Sequence, residues 1–147
     1  MNYSLLFLND SWTAFSASQQ QHYLSQIRSL YRQEGWWSEK TDHFEKLIQI
    51  ISGSHCFVAA VQPPGEILGM GRAISDRASD AYIQDVAVRP EARRQGIGSA
   101  IIKLLVNRLE QDGISWIGLI AKSGAIHFYR SAGFLDMADA LPMLKTH

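Results

Sequence analysis

Six consecutive residues, Arg93-Arg94-Gln95-Gly96-Ile97-Gly98, concentrate much of the chemistry this sequence can do. They follow an apolar run, Val86-Ala87-Val88, and lead into a helical apolar pattern. Glycines let a backbone bend so that several N–H groups face one point, and a helix start adds partial positive charge. Arg93 and Arg94 add full charges beside it. The guest that suits this arrangement is an anion, and a pyrophosphate in particular. Two phosphate loops are excluded. No Gly-Lys pair occurs, so there is no Walker loop. Gly98 is followed by Ser99, Ala100 and Ile101, so the third glycine of a dinucleotide fingerprint is missing. The strand also ends about seven residues too early for that tight strand-to-helix turn.

The elements that must hold this loop can be read from periodicity. Residues 3–8 read as a first strand. Ser16 or Ser18 caps a helix to about Glu34, with Leu24, Ile27 and Tyr31 on one face. Gly35-Trp36-Trp37 breaks it. Asp42, with Glu45 three residues on, has the pattern of a capping box for a second helix, whose expected buried stripe is Phe44, Leu47, Ile48 and Ile51. Runs at 55–61 and 67–74, joined by Gln62-Pro63-Pro64-Gly65-Glu66, predict an antiparallel hairpin, and a strand at 81–88 extends it to a meander. Ile97, Ile101, Leu104, Leu105 and Leu109 give the next helix one apolar face, and Asp112-Gly113 stops it. A strand at 116–120 and a helix near 125–132 follow, with Gly133 as a left-handed cap. One or two short strands are expected between Leu135 and His147.

Composition bounds the partners. A chain of 147 residues predicts one domain spanning 1–147. Fourteen basic and fourteen acidic residues cancel, so no global field draws nucleic acid or an anionic membrane, and any anion site is local. The single Cys56 excludes an internal disulfide and, in its apolar run, reads as a buried small residue. That fits a cytoplasmic protein, as does the lack of a secretory signal or a run of about 20 apolar residues. The five histidines lack metal-ligand spacing, and no metal is assigned.

The loop resembles the acyl-CoA loop of the GCN5-related N-acetyltransferases, Arg/Gln-x-x-Gly-x-Gly/Ala. Tyr82 to Pro90 is similar to that family's fourth strand and its exit. A second marker follows at the family's spacing. Ala125-Ile126-His127-Phe128-Tyr129-Arg130-Ser131-Ala132-Gly133-Phe134 is similar to its Ala-x-x-x-Tyr-x-x-x-Gly-Phe segment. The resemblance covers about residues 55–135 and implies an α+β fold: a mixed, mostly antiparallel sheet with helices on both faces. It implies acetyl transfer from acetyl-CoA, as co-substrate, to a primary amine by direct attack.

Residue by residue, the resemblance implies cofactor contacts from Val86, Ala87 and Val88 on the fourth strand. Arg93, Arg94, Gln95, Gly96, Ile97, Gly98 and Ser99 would hold the pyrophosphate, and Lys122, Ala125 and Phe128 would add contacts downstream. Lys122 replaces the asparagine of many relatives; it either reaches a CoA phosphate or is solvated. Tyr129 matches the family's tyrosine near the thioester sulfur. A phenol with an ordinary pKa of about 10 can donate a proton at neutral pH; the other reading is a buried structural tyrosine. His127 is read as structural. Gln84-Asp85 stands where some relatives have Glu-Asp. Gln84 cannot be a general base, and strand alternation puts Asp85 on the opposite face unless a bulge intervenes. Trp36 and Trp37 either anchor the helices or border the acceptor, and Arg72, at a strand end, is a candidate anion reader. The expected acceptor is a small-molecule amine. A protein N-terminus or lysine, and an acyl-CoA-binding module without turnover, are the alternatives. A homodimer is among the assemblies left open.

Overall fold

A computed structural model describes residues 2–147. Five strands form one sheet in the order β1-β2-β3-β4-β5: β1 Ser4–Phe7, β2 Cys56–Gln62, β3 Glu66–Ser75, β4 Asp80–Val88 and β5 Trp116–Leu119. The first four run antiparallel to their neighbours, and β5 joins β4 in parallel. Strand alternation sends apolar side chains to both faces. On β2, Phe57, Ala59 and Val61 join one core, while Cys56, Val58 and Ala60 join the other.

The first core is closed by α2 (Ala17–Gln33) and α3 (Phe44–Gly53), which follow a single helical turn, α1 (Leu8–Ser11). Ser16 Oγ accepts from the Gln19 amide at 3.2 Å and Gln19 Oε1 accepts from the Ser16 amide at 2.9 Å, a complete capping box. Tyr23, Leu24, Ile27, Leu30 and Tyr31 then recur every three or four residues as the buried face of α2. The box expected at Asp42 and Glu45 does not form. Asp42 is buried and its carboxylate pairs with Arg32 of α2, so His43 stands at the cap instead. Leu47 and Ile51 are buried, but Ile48 is 39% exposed and lies off the stripe.

The second core lies under α4 (Ile97–Gln111) and α5 (Ile126–Ser131). Ile97, Ile101, Ile102, Leu105 and Leu109 are its buried contribution from α4. The helix sits so close to β3 that a Cβ on Gly71 would lie 2.8 Å from Ile101 Cγ2, hence the glycine. Residues 135–147 contain no strand, contrary to expectation; β5 ends the sheet and the tail runs beside it in irregular form.

The β3–β4 turn is tied by Asp76, whose Oδ1 accepts from the amides of Ala78 (2.8 Å), Ser79 (2.8 Å) and Asp80 (3.0 Å). These bonds hold its carboxyl far below the ordinary range. A carboxyl depressed in the folded state stabilises above its unfolded pKa of about 4, and that stability is lost as pH falls through the folded value. The urea unfolding midpoint should therefore drop on acidification below about pH 4. Asp76→Ala should lower the neutral midpoint and shrink the acid-induced drop; an undiminished drop would assign it to other carboxylates.

Candidate active site

The site begins with one extra residue in β4. Met70 of β3 faces Ala87, but Arg72 faces Gln84, so β4 spends three residues where β3 spends two. Asp85 takes up the surplus at φ 57°, a left-handed conformation that aspartate tolerates better than most residues. The bulge changes which residues share a face. Ala81 and Ile83 point to the α4 core before it, and Val86 and Val88 do so after it. Gln84 and Asp85 thereby lie together on the α2 side, which corrects the simple alternation expected of a regular strand.

Asp85 is held there by two donors to the same oxygen. Tyr31 Oη lies 2.7 Å and Arg72 Nε 2.6 Å from Oδ2. Arg72 Nη2 also donates to Gln84 Oε1 at 3.3 Å. Arg72, expected exposed at a strand end, has a side chain only 15% exposed and is engaged by this carboxylate, so it is not an open anion reader. Burial, then the Asp85 charge, pushes the Tyr31 phenol up, which keeps it a proton donor. Among the described residues, no hydrogen bond reaches Asp85 Oδ1.

Beyond the bulge the sheet opens. The β4–β5 ladder stops at Ile83 opposite Leu119, while β4 runs on to Val88. The β5-facing edge of residues 84–88 therefore lacks a strand partner. The Val88 carbonyl accepts instead from Arg93 Nε at 3.0 Å and Gln33 Nε2 at 3.4 Å.

At the mouth of this opening lies the glycine loop. Arg94 (φ 61°) and Gly96 (φ 79°) both take left-handed conformations, and Gly96 caps α4 without a side chain. The first paired helical amide is that of Ala100, to Gly96 O at 3.0 Å. The amides of Ile97, Gly98 and Ser99 thus open toward the helix start, with the partial positive charge of that end. Arg94, Gln95 and Ser99 are exposed. Arg93 is tethered, with Nη2 lying 3.4 Å from Oε1 of Glu34, which caps the C-terminus of α2. Gly98 backs onto α5: a Cβ there would be 3.4 Å from Phe128 Cζ. A groove of about 300 Å³ continues between the helices past Ser99, Lys103, Phe128 and Ser131.

Tyr129 projects from α5 into the edge of the second core, edge-on to Phe128 (4.9 Å) and Phe134 (6.2 Å). Burial raises its phenol pKa, so the group is protonated at neutral pH. His127 is exposed. Ala125 ends the turn before α5. Lys122 does not face the glycine loop; its Nζ lies 5.3 Å from the ring centre of Trp36. Trp36 meets Tyr31 edge-on at 5.9 Å, and Trp37 stacks on Tyr31 at 4.3 Å. Tyr31 therefore joins the tryptophan pair to Asp85. Sequence reasoning placed Tyr31 only in the core, which is also true, and left Glu34 and Gln33 unremarked as polar surface.

Residues 15–134 match the profile of the acetyltransferase (GNAT) family, and the chain belongs to that family. The GCN5-related N-acetyltransferase 2 of Arabidopsis thaliana chloroplasts is 44% identical over 73 residues, 50% of this chain and 28% of that protein. Histone acetyltransferase TAP1 of Glycine max is 46% identical over 68 residues, 46% of this chain and 29% of that protein. The chloroplastic serotonin N-acetyltransferase 2 of Oryza sativa is 34% identical over 83 residues, 56% of this chain and 42% of that protein. These matches thus take in less than half of each relative. A probable acetyltransferase from Staphylococcus aureus has the same fold, with a TM-score of 0.77 over 99% of this chain and 100% of its own, at 18% identity.

Proposed function

We propose that the protein transfers an acetyl group from acetyl-CoA to the primary amine of a small molecule with an apolar or aromatic body. The observation that carries this reading is the opening between β4 and β5. Unpaired helix amides stand at its mouth, a protonated tyrosine packs against the same core as Val86 and Val88, and a carboxylate beside an aromatic cluster lies on the other face.

Each part has a role the geometry fits. The amides of Ile97, Gly98 and Ser99, with the exposed Arg94, suit the pyrophosphate. The strand groups of residues 84–88 left without β5 suit the pantetheine amides, in the manner of an added strand, and a backbone N–H in the opening polarises the thioester carbonyl. Tyr129 holds the proton that the departing sulfur takes. Asp85 Oδ1, with no donor among the described residues, orients the incoming amine and takes a proton from it directly or through water. The N–C bond forms as the C–S bond breaks, with no covalent intermediate on the protein. Trp36, half-buried, offers flat apolar area and a ring face that attracts cations, the Lys122 ammonium lying 5.3 Å from its centre.

The rice relative, a serotonin N-acetyltransferase by name, supports an arylalkylamine, and the soybean relative, a histone acetyltransferase by name, favours a protein acceptor instead. Initial rates on arylalkylamines, polyamines, sugar phosphates and a histone tail peptide separate these. The highest kcat/KM should be on the arylalkylamines; a faster reaction on the peptide or the sugar phosphates overturns this acceptor.

Gly98→Asp should abolish acetyl-CoA binding by calorimetry while circular dichroism is unchanged. A side chain and a negative charge would stand among the open amides. Retained affinity would place the cofactor elsewhere.

Tyr129→Phe should lower kcat by about 10²–10⁴-fold with little change in acetyl-CoA affinity. The loss should shrink with a more acidic leaving thiol, which needs less protonation. An equal loss with every thioester would mark the tyrosine as structural.

Trp36→Ala should raise the acceptor KM more than the acetyl-CoA KM, as expected for lost ground-state contacts. Equal changes in both would remove Trp36 from the acceptor wall.

A further inference from the structure

The two half-buried tryptophans between α2 and α3 each carry a lysine. Lys122 Nζ lies 5.3 Å from the ring centre of Trp36, and Lys46 Nζ lies 4.7 Å from that of Trp37. The lysines come from different elements: Lys122 precedes the turn before α5, and Lys46 stands in the first turn of α3. An ammonium at this range is attracted to the ring face. Neither lysine is spent on an acid. Among the described residues, no carboxylate lies within ion-pair distance of either. Glu34 and Asp42, which flank the tryptophans in sequence, are engaged by Arg93 and Arg32. Both lysines are exposed, so solutes reach their ammonium groups. Lys46 also opposes the partial positive charge of its own helix start, a placement that helix stability alone disfavours.

Beneath this rim the charge changes sign. Trp36 meets Tyr31 edge-on, Trp37 stacks on it, and the Tyr31 hydroxyl donates to Asp85. Asp85 is less exposed than the lysines, with one oxygen that no donor reaches among the described residues. One aromatic column therefore has a carboxylate at its inner end and two ammonium groups at its outer end. The Trp36 face that would attract a cationic acceptor already carries Lys122. A second positive charge on an acceptor would have to displace that lysine. A negative charge there would meet two ammonium groups that lack a partner acid. Charges so arranged select among ligands by sign.

We propose that the acceptor carries a carboxylate at the end of its aromatic body remote from the reacting amine, and that Lys122 and Lys46 read it. The inference rests on the acetyl-transfer reading for the reaction and adds the charge of the acceptor's far end. The amine would face Asp85, the ring would lie along Trp36, and the carboxylate would draw Lys122 from the indole face into an ion pair. Lysine suits such a task, because its ammonium is a point charge on a flexible stem with three rotatable donors. A ring between amine and carboxylate keeps the two charges apart, as Tyr31 and Trp36 do between Asp85 and Lys122.

Initial rates on phenethylamine, its para-carboxy derivative and its para-aminomethyl derivative test this. The carboxylated amine should have the highest kcat/KM, about tenfold above phenethylamine, the low end for a charge-assisted contact. Lys122→Gln with Lys46→Gln should bring those two to parity, and Lys122→Glu with Lys46→Glu should put the diamine first. A ratio between acceptors cancels any change in acetyl-CoA affinity, and loss of a merely structural lysine would not invert it. Calorimetry with each amine, without acetyl-CoA, reads binding apart from turnover. Parity or a deficit for the carboxylated amine in the parent chain overturns the proposal. So does a preference that survives both double variants, because another cation then reads the anion. If no amine is acetylated, but the carboxylated one binds more tightly than phenethylamine and loses that margin in the double glutamine variant, the acetyl-transfer reading falls and the role of the lysines stands. If no amine is acetylated and no such margin exists, both fall.

Discussion

The ion pair between Asp85 and Arg72, with Tyr31 as second donor, fixes the geometry on which the site depends. An aspartate at φ 57° in a strand persists where its surroundings over-determine it. Here the two donors at 2.6 and 2.7 Å come from different elements, β3 and α2. The bulge they secure shifts the alternation of β4 by one residue. Val86 and Val88 then serve the α4 core while Gln84 and Asp85 share the opposite face. The same kink precedes the stretch in which β4 parts from β5. The polarity of the α2 face and the open strand edge thus have one origin, a single surplus residue.

Electrostatics in this chain are local. The molecule has no net charge, yet its ion pairs join distant elements. Arg32 with Asp42 ties α2 to the start of α3, and Arg108 ties α4 to Asp10 of α1 at 2.8 Å. His55 Nε2 and Arg108 share Asp112 at the end of α4, holding that carboxyl below the ordinary range. Charges spent on such ties are not available as a field. What remains open at the glycine loop is backbone amides and Arg94, a cradle whose attraction is short-ranged.

Much of the architecture could be read from spacing. The 3.6-residue pattern marked α2 and α4, apolar runs on either side of a Pro/Gly link marked β2 and β3, and Ser16, one of two candidate caps, marked the start of α2. The glycine loop was legible because its residues are both unusual in type and adjacent in sequence. The bulge was not, because nothing local distinguishes Gln84-Asp85 from a regular strand; the partners that stabilise it lie 54 and 13 residues away. Asp42 misled for the same reason. A capping pattern is local, and the buried pairing with Arg32 is not. The tail misled in another way: its alternating apolar residues look like a strand, but a strand exists only with a neighbour to pair with.

The C-terminal end of α2, with its capping residue, touches two places at once. Gln33 donates to the Val88 carbonyl and Glu34 pairs with Arg93, while Trp36 and Trp37 follow on the same chain segment. Side chains of Gln33 and Arg93 occupy a strand carbonyl that an added strand would claim. On the proposed reading, a cofactor paired there would compete with Gln33 and Arg93 and loosen the tie of Arg93 to Glu34. The freedom of the tryptophan segment would change with it. Two ligands that meet across such a segment are thermodynamically linked, and whatever one gains from the other it must return in equal measure.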